Sequence, residues 1–128
     1  DWPKLGWVVN ASAETNLVPM STLPLPPLES FVKRGGRYGA HNIHENLPGP
    51  ASFRSDNLIV GTFFNGGVRA FDISNAYQPQ EVAYYVPGAP KLSPKGSIQI
   101  NDVWVDENRL IYTVDRFAGG LYILEMDI

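Results

Sequence analysis

Two stretches of this chain are imperfect copies of one another, and that repeat limits the possible folds more than any other feature. Asn57-Leu58-Ile59-Val60, continued by Gly66-Gly67-Val68-Arg69-Ala70-Phe71-Asp72-Ile73, matches Arg109-Leu110-Ile111-Tyr112, continued by Gly119-Gly120-Leu121-Tyr122-Ile123-Leu124-Glu125-Met126. Leu58 and Leu110 are 52 residues apart and Gly67 and Gly120 are 53 apart, so the copies differ by one residue inside the hairpin. In each copy a Gly-Gly pair separates two apolar runs, and glycine's tolerance of positive φ suits a tight connection there. Upstream, His41-Asn42-Ile43-His44 corresponds to Asn101-Asp102-Val103-Trp104 at a separation of 60, the additional residues forming the loop 46–56. A partial third copy precedes both: residues 5–12 read like 67–74, and 16–24 take the place of 78–87.

The repeated runs are rich in Val, Ile, Tyr, Phe and Trp and are bounded by Gly, Pro, Asn and Asp, which is the pattern of strands and turns. Strands are expected over 57–63, 67–73, 81–86, 98–105, 109–114 and 120–126. With 12 Gly and 11 Pro, turns are frequent. The one place for a helix is 27–32, where Leu23-Pro24-Leu25-Pro26-Pro27 competes by favouring extended backbone. The chain is therefore read as all-β, each unit running strand, hairpin, strand, turn, outer strand. That length suits one four-stranded antiparallel blade of a β-propeller. Residues 1–28 are then the two-stranded end of one blade, 29–39 a connector, 40–90 a complete blade and 91–128 a final blade lacking its outer strand. Closed propellers generally have four to eight blades. The expectation is thus an incomplete ring, the C-terminal portion of a larger propeller, whose remainder is supplied by the same chain or another subunit. Propeller architecture further suggests that the missing outer strand comes from the N-terminal region of the full protein.

The strand Gly67-Val68-Arg69-Ala70-Phe71-Asp72-Ile73-Ser74 and its second copy Leu121-Tyr122-Ile123-Leu124-Glu125 resemble the LVIVD repeat, a bacterial and archaeal β-propeller family. The similarity covers most of 40–128 and is best from Asn57 through Pro79-Gln80-Glu81-Val82-Ala83. Ala70 and Phe71 depart from the family's smaller β-branched pattern, and Met126-Asp127-Ile128 ends before an outer strand. The resemblance implies a propeller fold and a location outside the cytoplasm: periplasmic, secreted or on the cell surface. It implies no particular activity.

Charge and composition narrow the function classes. A net charge of -3, with Lys33, Arg34 and Arg37 the only local basic group, argues against nucleic acid as a partner. No apolar run approaches the ~18–20 residues of a membrane-spanning helix. With no cysteine, disulfides, thiolate metal sites and cysteine nucleophiles are excluded. Asp1-Trp2-Pro3-Lys4 shows no signal-peptide pattern. There is no phosphate-binding glycine loop leading into a helix and no Gly-x-Ser-x-Gly elbow.

Both histidines lie in Gly39-Ala40-His41-Asn42-Ile43-His44-Glu45-Asn46. Three readings stand: hydrogen bonding at the blade entrance, one histidine joining a site built with other blades, or His41, His44 and Glu45 on one divalent transition metal. Strand geometry opposes the last, since residues three apart face opposite sides. In a propeller the innermost strands line the channel, so His41, Asn42, Asn101 and Asp102 are the ligand-binding candidates, with backbone capping as the alternative. Asp115 with Arg116, and Arg54 with Asp56, are expected as exposed ion pairs. Phe63, Phe64, Tyr84, Tyr85, Trp104, Tyr112 and Tyr122 are expected to fill the space between blades. Asn10-Ala11-Ser12 satisfies a glycosylation sequon, discounted because the resemblance points to prokaryotes. The leading expectation is a propeller with a binding or scaffold role. The competing one is a metal-dependent oxidase or hydrolase, with His41 or His44 joining ligands from other blades.

Overall fold

In the computed structural model, which describes residues 4–128, the alternating apolar runs form eight strands. They are β1 (Trp7–Asn10), β2 (Val18–Thr22), β3 (Leu58–Thr62), β4 (Val68–Asp72), β5 (Gln80–Tyr85), β6 (Ile100–Val105), β7 (Leu110–Asp115) and β8 (Gly120–Glu125). The helix expected near 27–32 is the single turn α1 (Leu28–Phe31), entered from Pro27 and followed by the 3-10 turn Val32–Arg34. The strands make three antiparallel sheets in chain order: β1-β2, β3-β4-β5 and β6-β7-β8.

The two larger sheets show the repeat directly. Leu58 pairs with Asp72 and Thr62 with Val68 across one hairpin, while Leu110 pairs with Glu125 and Asp115 with Gly120 across the other. The segment 41–44 lies along β3 where β6 lies along β7, but it is not a full strand. It makes one bridge, Ile43 to Gly61, supported by bonds from His41 N to Thr62 O and from His44 N to Val60 O. The four-stranded blade expected over 40–90 is therefore three strands and a short inner segment. The Thr62 hydroxyl, not a strand carbonyl, accepts the Asn42 N–H, which breaks the regular ladder there. At the outer side the sheets differ: β5 covers β4, whereas among the described residues no strand pairs with the outer edge of β8.

Strand periodicity puts neighbouring residues on opposite faces, and the middle sheet is buried on both. Val60, Val68 and Ala70 join Ile100, Val103, Val105, Ile111 and Met126 in a core between the second and third sheets. Ile59, Phe63 and Phe71 meet Leu23, Val8 and Leu25 in a second core towards the first sheet. Each fully buried Phe contributes ~1.5–3 kcal/mol. The end faces are different: Trp7 on β1 is 60% exposed, and Leu121 and Ile123 on β8 are 58% and 57% exposed.

Of the aromatics expected to be packed, Phe63 and Phe64 are buried, while Tyr84 and Tyr85 are exposed. Phe64 has φ of 51°, a left-handed conformation costing ~1–2 kcal/mol for a residue with a side chain. Its N–H and C=O both bond to Ile100, so the β3–β4 hairpin is tied to the start of β6.

Polar groups are also buried within this framework. The Arg69 guanidinium, 2% exposed, pairs with Glu81 at 2.7 Å and lies near the rings of Phe31 and Tyr84. This is the one ion pair found among the described residues. The surface pairs expected for Asp115 with Arg116 and Arg54 with Asp56 do not form there. Asp115 is buried and serves the backbone: one carboxylate oxygen accepts the Gln99 N–H, and the other accepts those of Phe117, Ala118 and Gly119. Aspartate after a strand can cap the following turn as well as pair with a cation, and here four converging donors outweigh the neighbouring arginine.

Candidate functional site

The residues singled out at the repeat's inner positions come together. The 41–44 segment and β6 run side by side, so positions sixty apart in sequence become neighbours. Asn42 donates from Nδ2 to Asp102 Oδ1 at 2.9 Å, and the His41 Nδ1 lies 2.7 Å from the Asn101 carbonyl. Beside them is a cavity of about 460 Å³, lined by His41, Asn42, Glu45, Asp102 and Trp104 together with Ile43 and Val103. That volume is within the ~300–1,000 Å³ usual for small-ligand sites.

Local structure explains why this edge is ordered. Thr62, fully buried at the end of β3, places its hydroxyl 3.0 Å from the Asn101 carbonyl and 3.2 Å from that of Asn42. On β7, Thr113 donates its hydroxyl to the Asp102 carbonyl at 2.6 Å. Each threonine thus holds an inner segment from the strand outside it. Asp102 Oδ1 also accepts the Val103 N–H, which fixes its carboxylate. The Trp104 ring is tilted against that of Tyr112, ring centroids 5.4 Å apart, and Trp104 remains 42% exposed, leaving an aromatic face beside two carboxylates and an amide. This combination can accept hydrogen bonds from a ligand's hydroxyl or ammonium groups and pack against its apolar face.

The two histidines are used separately. His41 is exposed and its ring tilts against Phe64 at 4.6 Å. His44 bridges two backbones: Nδ1 accepts the Val105 N–H at 3.1 Å, which requires Nε2 to carry the proton it donates to the Phe53 carbonyl at 2.9 Å. The expected trio of His41, His44 and Glu45 is not assembled as a metal site. Among the described residues no three His, Asp or Glu side chains come together to hold an ion. The physical reason is that both His44 ring nitrogens are committed to backbone groups, while Glu45 opens towards the cavity with His41.

Sequence reasoning missed Thr62 and Thr113, because threonine in a strand is ordinary β propensity. It also placed Trp104 between blades, although its strand leaves it on an open face. Asn101 Oδ1 is buried at the inner edge without a hydrogen-bond partner, a costly state. No helix among the described residues is long and apolar enough to cross a membrane. Comparison of the chain with known protein families, with curated proteins and with solved structures finds no match.

Proposed function

We propose that this chain is a portion of a β-propeller of the LVIVD-repeat type, acting as a binding or scaffold module. The ligand meets it at the inner edge formed by His41, Asn42, Asn101 and Asp102. The observation that carries the reading is the pair of apolar end faces. Three sheets stack in chain order with the middle one buried on both sides, while Trp7, Leu121 and Ile123 on the two ends remain open. Apolar surface of this kind is characteristically covered by a partner, and further blades have the complementary shape. The side-by-side inner segments, joined by Asn42 and Asp102 at equivalent repeat positions, also suit strands arranged about a common axis. A location outside the cytoplasm is proposed on the family resemblance alone.

Native mass spectrometry of the protein isolated from its source tests the reading. A species larger than this chain, whether a longer polypeptide or a complex, is expected. A stable species of this chain alone, with the Leu121 and Ile123 face remaining open to solvent in hydrogen exchange of β8, overturns it. The ligand edge is tested separately by Asp102→Asn, which keeps the shape and removes one charge. Retained binding of the ligand, once captured, by this variant refutes the assignment of the inner edge.

A further inference from the structure

Strand alternation decides which side chains the inner edge offers to a ligand. Along 41–45, His41, Ile43 and Glu45 are exposed while Asn42 and His44 turn partly inward. Along β6, Asp102 and Trp104 are exposed while Val103 and Val105 are buried. The exposed set from both segments lines the cavity of about 460 Å³, and it brings two carboxylates and an indole to one concave surface.

The bonds already made at this surface tilt it towards accepting. His41 Nδ1, 2.7 Å from the Asn101 carbonyl, carries the proton it donates there, so in the neutral ring Nε2 is an acceptor. The Asn42 amide donates to Asp102. Asp102 Oδ1 takes that bond at 2.9 Å and the Val103 N–H at 3.0 Å. Two bonds to one oxygen hold the carboxylate in a single orientation before any ligand arrives, which lowers the ordering cost of binding. Trp104 is braced by the ring of Tyr112 and still exposes 42% of its surface.

We infer that the inner edge takes a small organic amine in its cationic form, the ammonium group received by Glu45 and Asp102 and the adjoining carbons covered by Trp104. The assignment presupposes that the inner edge is the ligand site, and it adds the class of ligand. A carboxylate only accepts, and its bond with an ammonium group is charge-assisted. The face of an indole attracts a cation and packs against apolar carbons. A net charge of -3 favours the approach of a cation over that of an anion. A neutral polyol, which calls for donors as well as acceptors, meets His41 and Asn42 with donors engaged by Asn101 and Asp102.

The test is titration of the intact protein with benzylammonium chloride and, separately, with benzyl alcohol, its neutral counterpart of similar shape, at constant ionic strength. Amide and indole chemical shifts report binding. Benzylammonium is expected to give saturable shifts at Ile43, Val103 and Trp104, and benzyl alcohol to bind about fivefold more weakly or not at all. Glu45→Gln and Asp102→Asn each raise the apparent Kd for benzylammonium by about fivefold, the value of one exposed charge pair. Trp104→Leu raises it by about threefold. Glu107→Gln, on an exposed residue that lines none of this cavity, leaves it unchanged. Both carboxylate variants keep the shape of an exposed side chain, and their amide spectra report the fold directly. Equal affinity for benzyl alcohol, with shifts at the same residues, overturns the amine assignment and leaves the inner edge as the site. Saturation with shifts elsewhere and wild-type affinity in both carboxylate variants overturns the amine assignment and the inner edge together. Absence of saturation by benzylammonium overturns the amine assignment.

Discussion

Gly67 and Gly120 occupy the same place in the two repeats, and both adopt positive φ, 79° and 71°. Their surroundings differ in a way that reports on the outer strand. A Cβ on Gly67 would overlap the carbonyl oxygen of Tyr85, at the end of β5, and come within 2.9 Å of Val86 Cα. A Cβ on Gly120 meets nothing within 4 Å. Either glycine changed to alanine incurs the left-handed cost of ~1–2 kcal/mol. At Gly67 the backbone of a paired strand must also retreat, adding ~1–3 kcal/mol, the usual penalty of overpacking. Gly67→Ala is thus expected to destabilise by ~2–5 kcal/mol and Gly120→Ala by only ~1–2 kcal/mol. Equilibrium urea unfolding of both variants and the parent, with unchanged slopes, measures the difference. A Gly67→Ala variant that costs only the ~1–2 kcal/mol of the left-handed backbone refutes the reasoning about β5. If instead both variants cost ~2–5 kcal/mol, a strand lies over β8 in the sample as β5 lies over β4.

Three further outcomes follow from the buried polar groups. Burial pushes the Asp115 carboxyl up, but its bonds from Gly119, Gln99, Ala118 and Phe117 outweigh that and hold it below the usual 3.8. A depressed folded value means the stabilisation is fully present above pH 3.8 and is lost as pH falls through the folded value. Asp115→Asn should therefore cost ~2–3 kcal/mol at neutral pH, with the gap narrowing in acid. Unfolding at neutral and strongly acidic pH checks this, and an equal gap at both counts against it. Glu81→Gln leaves the buried Arg69 charge unpaired and should cost ~2–3 kcal/mol, reduced from the fully buried case because Glu81 is partly exposed. Adding Arg69→Met should recover part of that loss, as read by a double-mutant cycle in urea. His44→Ala, which removes two bonds to backbone groups, should cost ~1–2 kcal/mol, against less than ~0.5 kcal/mol for the exposed His41→Ala. Equal losses would show that His44 does not bridge the sheets.

Strand positions, the two Gly-Gly hairpins and the equivalence of 41–44 with 101–104 were legible in the chain because they depend on local patterns. Alternation of side chains puts Ile59 and Val60 on opposite faces, and positive φ at Gly67 and Gly120 meets a demand within a few residues. Partners distant in sequence were not legible. Nothing around Asp115 distinguishes a surface ion pair from a carboxylate capping four backbone donors until Gln99 arrives beside it. Arg69 reads as an ordinary strand residue until Phe31, Tyr84 and Glu81 surround it.

The inner edge was half legible: its residues could be named from the repeat, but their contacts, and the buried hydroxyls of Thr62 and Thr113 behind them, could not. Local backbone preference and side-chain periodicity determine which elements form. The meeting of groups far apart along the chain is decided by how those elements stack, because only packing converts sequence distance into contact.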